Sequence, residues 1–105
     1  MTQPGCIDIH QAKALIDQED VTVVDMRDAA AFEDSHIKNA IPLNDDNVEE
    51  FVRTTDKSKP LICYCYHGIS SQSAVVYFSQ QGFSTVYSMA EGFEGWRSVY
   101  PVVSS

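Results

Sequence analysis

Short apolar runs of strand length alternate with helically spaced apolar stripes along the chain, and that alternation leaves few folds open. Residues 21–24 form a β-branched run that ends at Asp25, and residues 61–65, introduced by Pro60, form the most apolar segment and read as a central strand. Residues 83–87 are a further strand run, Cys6 and Ile7 make a short extended start, and residues 36–43 run extended into Pro42, which disfavours helix just before it.

Helical faces fill the intervals. Asp8 and Gln11 have capping-box spacing ahead of Ile9, Ala12, Leu15 and Ile16. Residues 29–34 predict a short helical turn, and Val48, Phe51 and Val52 a second apolar face. From about Ser71 a helix presents Ala74, Val75 and Phe78 inward and stops at Gly82 in the C′ position. Phe93, Trp96, Val99 and Tyr100 give a last helix, which Pro101 ends. Strands and helices in this order predict an α/β domain with a mainly parallel sheet and helices on both faces. With 105 residues, no internal repeat and no Gly/Ser linker, a single domain over residues 5–101 is expected.

Charge narrows the partners. Fifteen acidic residues against seven basic ones give a net charge of −8, and the basic residues are scattered, so neither nucleic acid nor an anionic membrane is an expected partner. No apolar run approaches the roughly 18 residues of a membrane span, and residues 1–6 lack the features of a secretion signal. Three cysteines, Cys6, Cys63 and Cys65, are too few and odd in number for a disulfide framework. A cytoplasmic location is expected.

Ligands of parallel α/β sheets bind beyond the carboxyl ends of the strands, and one segment there carries a nucleophile, a glycine and a following helix: Cys65, Tyr66, His67, Gly68, Ile69, Ser70 and Ser71. A cysteine just ahead of a helix N-terminus feels unpaired N–H groups and the positive end of the helix dipole, which favour the reactive thiolate. The loop can turn several amides inward to hold a small anion, with Gly68 free to take a backbone conformation closed to other residues. Cys65 is the candidate nucleophile, and Tyr66, His67, Gly68, Ile69, Ser70 and Ser71 are candidate substrate-binding residues. Cys63, two residues earlier on the same strand face, is expected to be structural. No second ligand pair accompanies Cys63, Cys65 and His67, so no metal is expected. His10 and His36 have no chemical neighbours in sequence and read as surface or structural residues.

These residues lie within a longer pattern. Val23-Val24-Asp25-Met26-Arg27-Asp28, then Phe32, His36, Ile37 and Ala40, the Cys65 loop, Val86-Tyr87-Ser88, Gly92-Phe93-Glu94 and Trp96 stand in one order and spacing. In that order the chain resembles the rhodanese family over nearly its whole length. The resemblance implies a five-stranded rhodanese-like α/β fold. It also implies that Cys65 takes the outer sulfur of thiosulfate, releases sulfite and carries a persulfide. Cyanide, or a dithiol such as thioredoxin or dihydrolipoate, would then take the sulfur, without a cofactor. Related phosphatases and arsenate reductases place an arginine where this chain has Ser71, so the bidentate oxyanion grip is missing and sulfur transfer is favoured. The chain departs from many members at Tyr66 and His67, where a basic residue is common, and at Ser35 and Glu91, which replace glycines. Two other readings stay open at this point: a persulfide relay serving another pathway, and a non-catalytic binding module. Asp25, Arg27 and Trp96 read as structural.

Overall fold

The computed structural model describes residues 5–18, 20–68 and 70–104. Ten elements follow in strict alternation: β1 (Cys6–Ile7), α1 (Ile9–Asp17), β2 (Thr22–Asp25), α2 (Ala29–Asp34), β3 (Ile41–Pro42), α3 (Val48–Thr54), β4 (Leu61–Tyr64), α4 (Ser70–Gln80), β5 (Val86–Met89) and α5 (Gly92–Arg97). The five strands pair in parallel in the order β1-β5-β4-β2-β3, so β4 is central and its carboxyl end opens between β2 and β5.

The strand pleat sorts side chains into two cores, because successive residues point to opposite faces. Val23, Ile62, Tyr64 and Met89 pack with Ala12 of α1 and with Phe93 and Trp96 of α5. Val24, Leu61, Cys63 and Val86 pack on the other side with Phe51 of α3 and with Ala74 and Phe78 of α4. All four residues of β4 are buried, as expected of a central strand covered on both faces.

Helix ends carry the sequence signals in physical form. Asp8 Oδ1 accepts the Gln11 amide at 2.7 Å while Gln11 Oε1 accepts the Asp8 amide at 2.9 Å, closing the capping box of α1. At the far end of α4 the Gly82 amide reaches the Ser79 carbonyl and the Phe83 amide the Phe78 carbonyl, a Schellman closure that the φ of +101° at Gly82 permits.

Three boundaries differ from the sequence expectation by more than one residue. The last strand lies at Val86–Met89 rather than 83–87, because Phe83 completes the α4 cap and Ser84 bonds the Lys57 carbonyl. Of residues 36–43, only Ile41–Pro42 enters the sheet; the Ala40 amide turns back to the Ile37 carbonyl, with Asn39 at φ +69°, and His36 pairs instead with Val103. The final helix ends at Arg97, leaving Val99 exposed although Tyr100 still packs on the core.

A buried polar cluster closes the end of β2. Arg27 grips Asp25 through Nε and Nη2, the latter at 2.7 Å, and Tyr64 donates to the same carboxylate at 2.6 Å. Arg27 Nη2 also donates to the Ser35 carbonyl at 2.6 Å, and its guanidinium lies 3.9 Å from the centre of the Phe93 ring. Burial opposes the Arg27 charge, but its bond to Asp25 holds the guanidinium pKa above the ordinary value. A charge pair this buried is satisfied only as a unit.

Candidate active site

Cys65 stands one residue past β4, and its side chain turns toward α4. The position follows from the pleat: Leu61 and Cys63 face the α4 core, so the next residue of that parity does too. Three donors or partners converge on its sulfur. The Gly68 amide lies at 3.2 Å, the Ser71 amide at 3.3 Å and Ser71 Oγ at 3.4 Å.

Burial works against a charged sulfur here, since Cys65 is only 5% exposed. The bonds from the Ser71 hydroxyl and from the amides of Ser71, Gly68 and His67 more than offset it, and the thiol's pKa falls below its ordinary 9.0. Cys63 has burial without that compensation and is fully enclosed, so its thiol is pushed far up and stays protonated. The two thiols face the same side of the sheet, and their surroundings shift them in opposite directions.

The loop is held by backbone contacts together with a bond from the Gln72 side chain to the Gly68 carbonyl at 2.9 Å. The Phe93 amide bonds the Cys65 carbonyl at 2.7 Å and the Glu94 amide bonds the Tyr66 carbonyl at 3.0 Å, so the first turn of α5 grips the loop. Gly68, at φ +86°, lies so close to the 89–90 backbone that a β-carbon would come within 2.0 Å of the Ala90 carbonyl oxygen. Gly92, at φ +66°, meets the Tyr66 carbonyl in the same way, at 2.5 Å. Both contacts require glycine twice over, for conformation and for space.

Of the residues singled out from sequence, Cys65, Gly68 and Ser71 come together. Tyr66 and His67 are exposed; the Tyr66 hydroxyl donates to Asp28, which caps α2, while His67 makes no side-chain hydrogen bond among the described residues. Ile69 and the side chain of Ser70 lie outside the described residues; the Ser70 backbone opens α4. Arg27 touches the loop through the Tyr66 ring, 5.6 Å away, but its side chain is committed to Asp25. Two surface concavities do not include Cys65. One of about 660 Å³ lies by Ile16, Val21 and Lys38, and one of about 410 Å³ lies between α3 and α4, beginning at Met26.

Sequence reasoning assigned no role to Ser88. It sits fully buried on β5 with its hydroxyl 2.6 Å from Ser71 Oγ, and the signal for it was a hydroxyl within an apolar strand. Glu91, which replaces a glycine of the family pattern, also has a use: its carboxylate accepts the Ile9 amide at 3.2 Å in the first turn of α1.

Comparison with known proteins agrees with this architecture. The chain is 48% identical over 101 residues to the thiosulfate sulfurtransferase GlpE of Pseudomonas syringae, an alignment covering 96% of this chain and 94% of that one. It is 51% identical over 83 residues to the thiosulfate sulfurtransferase GlpE of Pseudomonas aeruginosa, covering 79% and 76%. Among solved structures, a rhodanese-related protein from Thermoplasma volcanium superposes with a TM-score of 0.81 at 27% identity, covering 95% of this chain and 98% of that one. The rhodanese-like domain family matches residues 8–99, and the chain belongs to that family.

Proposed function

We propose that the protein is a thiosulfate sulfurtransferase working through a persulfide on Cys65. The observation that carries this reading is a cysteine sulfur at the end of the central strand, held by two loop amides and a serine hydroxyl that favour its anion. The names of the relatives, thiosulfate sulfurtransferase in each case, support the choice of donor.

In the first half-reaction the Cys65 thiolate attacks the outer sulfur of thiosulfate. A new S–S bond forms, the S–S bond of thiosulfate breaks, and its electron pair leaves with sulfite. Charge is conserved: a thiolate and a dianion give a persulfide anion and a dianion. Amides such as those of Gly68 and Ser71, which bond the Cys65 sulfur, favour an anion there in either half-reaction. In the second half-reaction a thiolate acceptor attacks the terminal sulfur and Cys65 leaves as the thiolate again. A dithiol of the thioredoxin or dihydrolipoate type, or cyanide, has the required affinity for sulfur. Tyr66 and His67, the two residues that follow Cys65, are both exposed, and they are the side chains of the loop proposed to meet the substrate.

Incubation with thiosulfate followed by intact mass measurement tests the reading. Wild-type protein is expected to gain the mass of one sulfur atom, which a dithiol removes, and Cys65→Ala to gain none. An equal gain in Cys65→Ala would sink the assignment.

A further inference from the structure

We propose that Ser88 is a positioning residue for the Cys65 thiolate, acting through Ser71. The inference rests on the reading of Cys65 as the reacting sulfur. Ser88 lies in β5, in register with Cys63 of β4 on one side and Cys6 of β1 on the other, and is fully buried. Its side-chain hydrogen bond among the described residues goes to Ser71 Oγ, 2.6 Å away, and Ser71 Oγ in turn lies 3.4 Å from Cys65 Sγ.

Each hydroxyl has one proton to give, which sets the direction of this chain. With Ser88 donating to Ser71, the Ser71 proton is left for the sulfur, and every donor is satisfied when the chain ends on a negative acceptor. In the opposite direction the Cys65 thiol donates to Ser71 and Ser71 to Ser88. The Ser88 proton then has no acceptor among the described residues, in a site closed to water, and such an orphan is costly. Donation from Ser88 also polarises the Ser71 hydroxyl and strengthens its bond to sulfur. The hydroxyl on β5 thus selects the charge state of a sulfur it does not touch. A serine placed only to fill space beside Cys63 would leave the ionisation of Cys65 unchanged.

The variants Ser88→Thr and Ser88→Val have nearly the same shape and differ by the hydroxyl. The measurement is the pH dependence of iodoacetamide alkylation at Cys65, followed by peptide mass so that Cys6 and Cys63 do not contribute. Loss of one hydrogen bond in Ser88→Val is expected to raise the midpoint by about half to one pH unit and to slow alkylation below it about three- to ten-fold. Ser88→Thr is expected to keep the wild-type midpoint. Equal midpoints in the two variants would overturn the proposal. Where circular dichroism shows that the added methyl prevents folding, Ser88→Ala takes their place, and a wild-type midpoint in that folded variant overturns the proposal equally. Sulfur uptake from thiosulfate is recorded beside the titration. A wild-type protein that takes no sulfur defeats the sulfurtransferase reading, while the midpoints still decide the role of Ser88.

Discussion

Burial and hydrogen bonding pull the Cys65 thiol in opposite directions, and a single hydroxyl and a few amides reverse what burial alone would impose. Alkylation of Cys65 is accordingly expected to reach half its maximal rate below pH 9.0, the ordinary thiol value, as a pH–rate profile would show. Buried groups without such partners behave oppositely. Cys63 and Tyr64 are both held neutral, first by burial and, for Tyr64, then by its bond to Asp25. Their unfolded counterparts ionise from 9.0 and 10.0, so the stability they contribute is complete below those values and is lost as pH rises further. Cys65, whose pKa is lowered in the fold, has its linked stability fully present above 9.0 and cannot offset a later decline. The urea midpoint is therefore expected to fall as pH rises past about 10. Arg27 tests the buried pair: Arg27→Ala leaves the enclosed Asp25 without its cation, and a loss of about 3–5 kcal/mol is expected in urea unfolding.

Backbone contact between two elements, the loop after β4 and the start of α5, decides where the Cys65 sulfur sits. Gly92→Ala would place a methyl against the Tyr66 carbonyl in a left-handed conformation that costs a side-chain-bearing residue about 1–2 kcal/mol before any clash. Alkylation of Cys65 at fixed pH is expected to slow in that variant, because a displaced loop no longer delivers the Gly68 amide to the sulfur. The helices were largely legible in the sequence, since capping residues act locally: Asp8 with Gln11, and Gly82, stand where a one-dimensional reading places them. Sheet edges were less so. Nothing local distinguishes Phe83 from a strand residue, and only the three-dimensional closure of α4 withdraws it from the sheet. The candidate site divided along the same line. Cys65, Gly68 and Ser71 form one local segment, while Ser88 and Gly92 reach it through sheet register and α5 docking, which adjacent residues do not encode.

Over the whole molecule, a net charge of −8 should repel a dianionic substrate, so attraction has to come from the loop at short range. Long-range repulsion is screened by salt while hydrogen bonds at contact are not, and kcat/KM for thiosulfate is expected to rise as ionic strength increases from a low value. A steep fall in steady-state assays would instead indicate a concentrated cationic surface. The sheet has its own whole-molecule consequence. Both outer strands, β1 and β3, are two residues long, and Pro42 in β3 has no amide proton. Among the described residues, so little free edge gives a neighbouring copy almost nothing to zip onto, which works against edge-to-edge pairing between copies.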